Sequence, residues 1–415
     1  MTSAARSSAA LLRSHASGHA GGGSGSAAGV RKVALLIETS NRYGRDLLHG
    51  VRDWMLQGER WAIRLTEQAR LAPLPDWLRG WQGDGIIARV DSPRSAAALR
   101  RTGLPVVDVS AERGASEFPR VSVDNAGVAR LAAEHLAARG LRRFAYLGDA
   151  RFLWSRERGR EFRRRLADAG WPCVEFTGRV HGTARPGSDA EIRAIADWLA
   201  GQPRPLGVFA CYDGRARQAL EACQLRGWAV PDEIAVLGVD NDEVLCDLCT
   251  PPLSSVQPNA RRTGFEAAAL LARMMRGERT GRPALEVEPL HVVERRSTDA
   301  VAVADPRLAS AVRFIREHVG EGIDVGDVLR AVPMSRTLLE RKFQAALGRS
   351  PHREILQQRI ARARYLLAES DVAIAAVAEL AGFGDASYLS VVFRRETGES
   401  PRAYRLRQRT FAAAS

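Results

Sequence analysis

Six short polar clusters recur in the long first part of the chain, each placed after an apolar run. They are Glu38-Thr39-Ser40-Asn41, Arg89-Val90-Asp91, Asp124-Asn125, Gly148-Asp149 leading to Trp154, Tyr212-Asp213, and Asp240-Asn241-Asp242. Carboxylates and amides make paired hydrogen bonds to vicinal hydroxyls, arginine supplies a planar donor fork, and tryptophan offers a flat apolar face to a sugar ring. The set therefore suits a neutral polyol, with Asn41, Arg89, Asp124, Trp154, Tyr212, Asp213 and Asp240 as candidate contacts. Each has a plainer reading as well: Asp124 before a helical stretch fits an N-cap, and Asp213 and Asp240 fit turn positions. Repetition at the same place in successive units favours binding for the set as a whole. A dinucleotide is disfavoured, since no apolar run leads into G-x-G-x-x-G, and no G-x-x-x-x-G-K-[ST] is present to cradle phosphates. No cofactor is expected. Five cysteines include one close pair, Cys246-Asp-Leu-Cys249, without a second pair or histidine cluster to complete a zinc site, so no metal is expected either.

A second kind of chemistry lies near the other end. Leu339, Phe343, Gly348, Ser350 and Pro351 recur at an offset of 50 residues as Leu389, Phe393, Gly398, Ser400 and Pro401. Ahead of each copy stands a short amphipathic helix pattern, Val325, Val328, Leu329 and Val332, then Ile374, Val377, Ala378 and Ala381. A short helix, a tight turn and a capped second helix make a helix-turn-helix, here twice in register. With Leu339 and Phe343 turned to the core, Arg336, Thr337, Glu340, Arg341 and Gln344 occupy the exposed face of the first reading helix. Arginine can address guanine O6 and N7, and Thr or Glu a thymine methyl or cytosine amine, so this face can read base edges. The second copy presents Ala386, Ser387, Ser390, Val391 and Arg394, which suits phosphate anchoring and methyl contacts more than purine recognition. Between the copies, residues 351–368 read as one helix of about 27 Å, long enough to set two reading helices into successive major grooves about 34 Å apart.

The elements that must position these groups follow from hydrophobic pattern. Short β-branched runs at 33–37, 85–90, 105–109, 143–147, 207–210 and 234–238 alternate with amphipathic stretches such as 125–139, 155–169, 213–226 and 260–276. Strands apolar throughout and separated by helices predict a parallel sheet covered on both faces, and such sheets bind ligands beyond the carboxyl ends of their strands. After Arg295-Arg296-Ser297-Thr298-Asp299 the strand pattern stops, and Asp305-Pro306 opens a helix-only region. Three parts are expected: a flexible Ala/Ser/Gly-rich tail over 1–29, an α/β ligand-binding domain over 30–300, and an all-α domain with the two helix-turn-helix motifs over 305–409.

Composition limits the classes. The chain has 415 residues, 45% hydrophobic, which is too long for one small module and too apolar for general disorder. A formal charge of +13 suggests a polyanionic partner, but 59 of the 61 basic residues are arginine and they are spread along the whole chain, so charge argues only weakly for DNA. No apolar run of about 18 residues exists to span a bilayer, and the first residues lack a secretory signal, so a cytoplasmic protein is expected.

Residues Val121-Ser-Val-Asp124-Asn125, Glu134-His135-Leu136, Arg158 with Phe162 and Leu166, Val236-Leu-Gly-Val-Asp240-Asn241 and Pro251-Pro-Leu-Ser-Ser-Val256 resemble the effector domain of lac-repressor-type regulators, itself similar to periplasmic sugar-binding proteins. The resemblance spans roughly 33–297 and implies a two-lobe α/β fold hinged around one small ligand. It adds Arg158 to the candidate contacts, gives Asp240 the role of holding the effector, and puts Tyr212 in the pocket lining. A tyrosine there departs from the family. Residues about 307–407 resemble the DNA-binding domain of the AraC/XylS family through Leu339-Glu-Arg341-Lys-Phe343, Gly348-Arg-Ser-Pro351, Ala381-Gly382-Phe383, Ser387-Tyr388-Leu389, Phe393 and Gly398-Glu-Ser-Pro401. That likeness puts Thr337, Glu340 and Arg341 at base-reading positions, and Val391 stands where the family usually has arginine.

This order of domains resembles that of xylose operon regulators. It implies a transcription factor that binds an operator in double-stranded DNA, is switched by a small free monosaccharide such as xylose, works as a homodimer and has an opportunity to touch RNA polymerase. Two other readings stay open: a sugar-acting enzyme, against which stands the lack of an activated nucleophile, and a DNA-binding protein whose first domain only dimerises.

Overall fold

The computed structural model describes residues 30–67, 69, 72–110, 117–176, 188–281, 283–299 and 305–409. The expected tail over 1–29 and the boundary residues 300–304 lie outside the described residues.

Two α/β lobes come first. One is begun by β1 (Arg31–Leu36), α1 (Arg42–Met55), β2 (Trp61–Leu65), β3 (Gly85–Ala88), α2 (Pro93–Arg100), β4 (Val106–Asp108) and β5 (Arg120–Val123). The other holds α3 (Asn125–Ala138), β6 (Phe144–Leu147), α4 (Leu153–Asp168), β7 (Cys173–Glu175), α5 (Asp189–Ala200), β8 (Leu206–Ala210), α6 (Asp213–Arg226), β9 (Ile234–Val239), α7 (Glu243–Leu248) and β10 (Ser254–Gln257). The chain then returns to add α8 (Ala260–Met275) and β11 (Ala284–Val287) to the first lobe, and β12 (His291–Val293) to the second.

The two sheets run β2-β1-β3-β4-β5-β11 and β7-β6-β8-β9-β10-β12, parallel except for β12 against β10. Both wind in the same order, and each changes direction beside its first strand, between β1 and β3 and between β6 and β8. Ligands of open α/β sheets bind at such switch points. Strands β3, β8 and β9 are buried along their whole length, which explains their unbroken apolar runs. Edge strands differ: β2 exposes four of its five residues and β11 three of its four.

The lobes are joined where the chain crosses between β5 and α3, between β10 and α8, and between β11 and β12. These segments brace one another: Asp124 N–H donates to Val287 O at 2.9 Å, and Leu290 N–H to Gln257 O at 2.9 Å. Helix α8 lies against α1 at a distance only glycine allows, since a Cβ at Gly50 would meet Arg261 O at 1.9 Å.

A helical region follows: α9 (Pro306–His318), α10 (Val325–Ala331), α11 (Arg336–Leu347), α12 (Pro351–Glu369), α13 (Ile374–Leu380), α14 (Ala386–Thr397) and α15 (Pro401–Arg409). Asp305 caps α9 through the N–H groups of Arg307 and Leu308, with Pro306 at its first position. Two separate apolar cores form. Val312, Val328, Leu339, Phe343 and Ile355 share one, and Leu356, Ile360, Val377, Leu389 and Phe393 the other. Neighbouring residues of α12 thus enter different cores, and its 19 residues give a rod of about 28 Å.

Candidate functional site

The polar strand ends of both lobes meet in one cleft. Arg89, just past β3, forms an ion pair with Glu38, just past β1, and lies over the Tyr43 ring at 5.6 Å. These belong to the first lobe. From the second lobe, the charges of Asp240 and Arg158 act on Tyr43, and that of Asp240 acts on Arg89. Burial pushes the Tyr43 phenol up to about 12, so it stays a neutral donor and acceptor. A cavity of about 1040 Å³ adjoins these groups, walled mostly by the first lobe (Glu38, Arg89, Asp91 and Ser110 among others), with Phe152 and Trp154 contributed by the second.

Helix α4 supplies Trp154 in its first turn and Arg158 one turn later. The Arg158 guanidinium lies 5.0 Å from the Trp154 ring centre, and Tyr212 meets Trp154 edge-on at 6.2 Å. Arg158 Nη2 donates to Asn125 Oδ1 at 3.1 Å and Nη1 donates to the Cys211 carbonyl, leaving Nε buried without a partner. Asn41 caps α1, its Oδ1 accepting from Gly44 N–H at 2.8 Å, and its Nδ2 is likewise buried and unpartnered. Buried donors left unpaired in a polar cleft are the groups a ligand oxygen would satisfy.

At the end of β9 the backbone is strained: Asp240 has φ 106° and Asn241 φ 48°. Non-glycine residues held there cost about 1–3 kcal/mol each, and such strain gathers at ligand clamps. The strain is held in place by neighbours. Asp240 N–H donates to Val256 O at 3.0 Å, and Asn241 is fixed by Ser255 Oγ at 3.0 Å, Gln257 Oε1 at 3.1 Å and Arg295 Nη1 at 2.9 Å.

Two candidates stand apart from this group. Asp213 is buried behind the turn, where one oxygen accepts from Ser255 Oγ at 2.6 Å and the other from Asp242 N–H at 2.8 Å and Cys246 Sγ at 3.5 Å. It props up the Asp240 turn and is spent on the protein, contrary to the expectation of a ligand contact. Burial and the nearby Asp240 charge push its carboxyl up to about 8. Asp124 caps α3 through Ala126 N–H at 2.9 Å, the plainer of its two readings. Glu38 and Tyr43, absent from the sequence-based set, lie in the cleft; Tyr43 is one residue inside α1, just after the first polar cluster.

Across the mouth of the cleft the lobes touch directly. Arg42 N–H donates to Asp242 Oδ2 at 3.2 Å, Arg42 Nη1 lies 3.0 Å from Glu243, and Arg45 Nη2 lies 3.6 Å from Asp242.

In the helical region, α10 with α11 and α13 with α14 form the two helix-turn-helix units. Ser335 caps α11 and Asp385 caps α14. Arg336, Thr337, Glu340, Arg341 and Gln344 are all exposed on α11, with Arg336 Nε on Glu340 at 3.2 Å. On α14, Ser387, Val391 and Arg394 are exposed, Val391 to 69%, while Ala386 and Ser390 are half-buried and the Ser390 hydroxyl donates to Ala386 O. Among the described residues no three His, Cys, Asp or Glu gather into a metal-binding group, and no helix is long and apolar enough to cross a membrane.

Comparison with known proteins agrees with this architecture. Residues 32–126 match the XylR N-terminal domain, 133–298 a periplasmic binding protein-like domain and 328–407 a helix-turn-helix domain. The chain is 32% identical to the xylose operon regulatory protein of Escherichia coli K12, over 90% of this chain and 96% of that one. It is 30% identical to the protein of the same name from Haemophilus influenzae, over 90% and 98%. Among solved structures it resembles a xylose-binding transcription activator, xylR, with TM-score 0.59 and 30% identity over 90% of this chain and 97% of that one. A CelR–cellobiose complex matches with TM-score 0.51 and 25% identity, over 64% and 84%.

Proposed function

The chain belongs to the family of xylose operon regulatory proteins, a DNA-binding transcription regulator with a sugar effector domain and not an enzyme, and on that premise we propose that free xylose, or a close aldopentose, closes its cleft and resets its grip on an operator. The observation that carries this reading is the pair of buried, unpartnered donors, one from each lobe, Asn41 Nδ2 and Arg158 Nε, the second of them beside the Trp154 ring. A ring with vicinal hydroxyls offers both an acceptor oxygen and an apolar face for that wall. Asn41, Arg89, Trp154, Arg158, Tyr212 and Asp240 are its contacts in this reading, with Tyr43 and Glu38 added, while Asp124 and Asp213 hold the frame.

The effector domain runs over 30–300 and the DNA-binding domain over 305–409. On DNA, Arg336, Thr337, Glu340, Arg341 and Gln344 read bases from α11, and Ala386, Ser387, Ser390 and Arg394 serve α14. Two chains act together as a homodimer in the cytoplasm, with RNA polymerase as a further contact. A sugar shifts such a system only by its difference in affinity for the two lobe arrangements.

The test is calorimetric titration of the full chain with xylose, arabinose, ribose, lyxose and glucose, repeated with Asp240→Asn. Saturable heat with one pentose, lost in the variant, is expected. No binding by any sugar, or undiminished binding in the variant, would overturn the reading.

A further inference from the structure

Helix α3 touches both ends of the regulatory problem. Its first residue, Asn125, accepts from Arg158 Nη2 at 3.1 Å, and Arg158 carries one of the unpartnered donors of the cleft. Thirteen residues later, after a rise of about 20 Å, α3 ends at Ala138 beneath the first helix-turn-helix unit.

That far end is fastened reciprocally. Arg349, in the turn after α11, donates from Nη2 to Ala138 O at 2.9 Å, in the last turn of α3. Arg142, just past α3, donates from Nη2 to Ala346 O at 3.3 Å, in the last turn of α11, while its Nη1 reaches back to Ala137 O at 3.1 Å. Each arginine thus caps the carbonyl end of the other domain's helix. The two like charges are close enough to depress the pKa of Arg142, after burial itself. The negative ends of two helix dipoles and the Glu354 carboxylate on Arg349 offset that repulsion.

The sides of the joint are also ordered. In the last turn of α3, His135 Nε2 lies 2.8 Å from Thr298 Oγ1, and Arg139, the residue just past the helix, donates to Thr298 O at 2.7 Å and pairs with Glu294 at 2.8 Å. Arg316 of α9 lies 3.4 Å from Asp299 of the same segment, and His291 of β12 meets Tyr365 of α12 edge-on at 5.6 Å.

We infer that α3 is the strut by which the state of the sugar cleft reaches the first helix-turn-helix unit, with Arg142 and Arg349 as positioning residues that make this unit a rigid extension of the second lobe. The second unit hangs from α12 and follows the first. The inference rests on the reading of Arg158 as a sugar contact for its input end only; the fastening at the output end stands on its own geometry.

Two measurements on the full chain test it, using Arg142→Ala/Arg349→Ala and the milder Arg349→Lys, which keeps a donor for the Ala138 carbonyl. The first is the spin-label distance between the outer face of α4 and the exposed face of α11, without ligand. A single narrow distance is expected for the wild type and Arg349→Lys, and a broad distribution for the double alanine variant. The second is xylose affinity together with affinity for a duplex selected from random sequence, with and without xylose. The double variant should keep xylose affinity and sugar-free DNA affinity within about threefold, a margin of about 0.7 kcal/mol, yet lose most of the sugar-dependent change in DNA affinity, which Arg349→Lys retains. A broad wild-type distance, or a double variant with a narrow distance and full sugar response, would overturn the inference. A wild type that ignores xylose would count against the sugar reading and the input end, while the ligand-free distances still decide the fastening.

Discussion

Replacing Asp242 by alanine should weaken sugar binding without touching the sugar. The Asp242 carboxylate accepts Arg42 N–H at 3.2 Å and faces Arg45 at 3.6 Å, both from the opposite lobe. The three residues are partly exposed, so each lost contact is worth about 0.2–1 kcal/mol, and the closed arrangement loses about 0.4–2 kcal/mol. At about 1.4 kcal/mol per tenfold, the closure constant falls roughly 2- to 30-fold. Where the open form predominates without sugar, apparent affinity falls by the same factor, because a ligand that binds only the closed form is taxed by its scarcity. The assay is calorimetric titration of wild type and Asp242→Ala with xylose at about 0.05 M and about 0.5 M salt. The gap between the two proteins should shrink at high salt, where the screening length drops from about 14 Å toward about 4 Å. Equal affinities at low salt, or a deficit that salt leaves unchanged, would refute the idea that these charges latch the lobes.

Two further outcomes follow from the geometry. Arg341→Ala should lose roughly 1–3 kcal/mol on a selected operator and little on random duplex, as a base-reading arginine does; equal losses in a binding assay on both would make it a phosphate contact. Asp213, with its carboxyl at about 8 in the folded chain and near 3.8 when unfolded, binds more protons folded than unfolded between those values. Its contribution to stability is therefore complete below about 3.8 and is lost as pH rises through about 8. Asp213→Asn should flatten that decline in chemical denaturation between about pH 5 and about pH 8, and an unchanged slope would show the carboxyl to be ionised throughout.

Much of this architecture was legible in one dimension because burial writes itself into sequence. Strands such as Gly85–Ala88 and Ile234–Val239 are covered on both faces and read as apolar runs, and the heptad-like spacing of Val325, Val328 and Leu329 gave the first short helix of the DNA-binding region. Edge strands escaped: Trp61–Leu65 and Ala284–Val287 face solvent over most of their length and carry no such run. Asp213 looked like Asp240 because both are polar residues past a strand, and only folding brings Ser255 and Cys246, more than 30 residues away, onto its oxygens. Tyr43 shows the reverse: an aromatic residue inside a helix reads as core until Asp240 and Arg158 of the other lobe are set beside it. Arg142 and Arg349 were invisible among 59 arginines, since nothing local distinguishes a cap across a domain joint from a solvated charge.

Helix α12 passes without a break from one apolar core into the next, with Ile355 in the first and Leu356 in the second. The two helix-turn-helix units are therefore joined by one rod, and each residue inserted in it between them would shift the second by about 1.5 Å and turn it by about 100°. A single insertion would swing it out of the groove, and about seven residues, two full turns, would be needed to bring it nearly back into phase. The spacing between the two helix-turn-helix units can thus change and stay nearly in phase only in steps of about two helical turns.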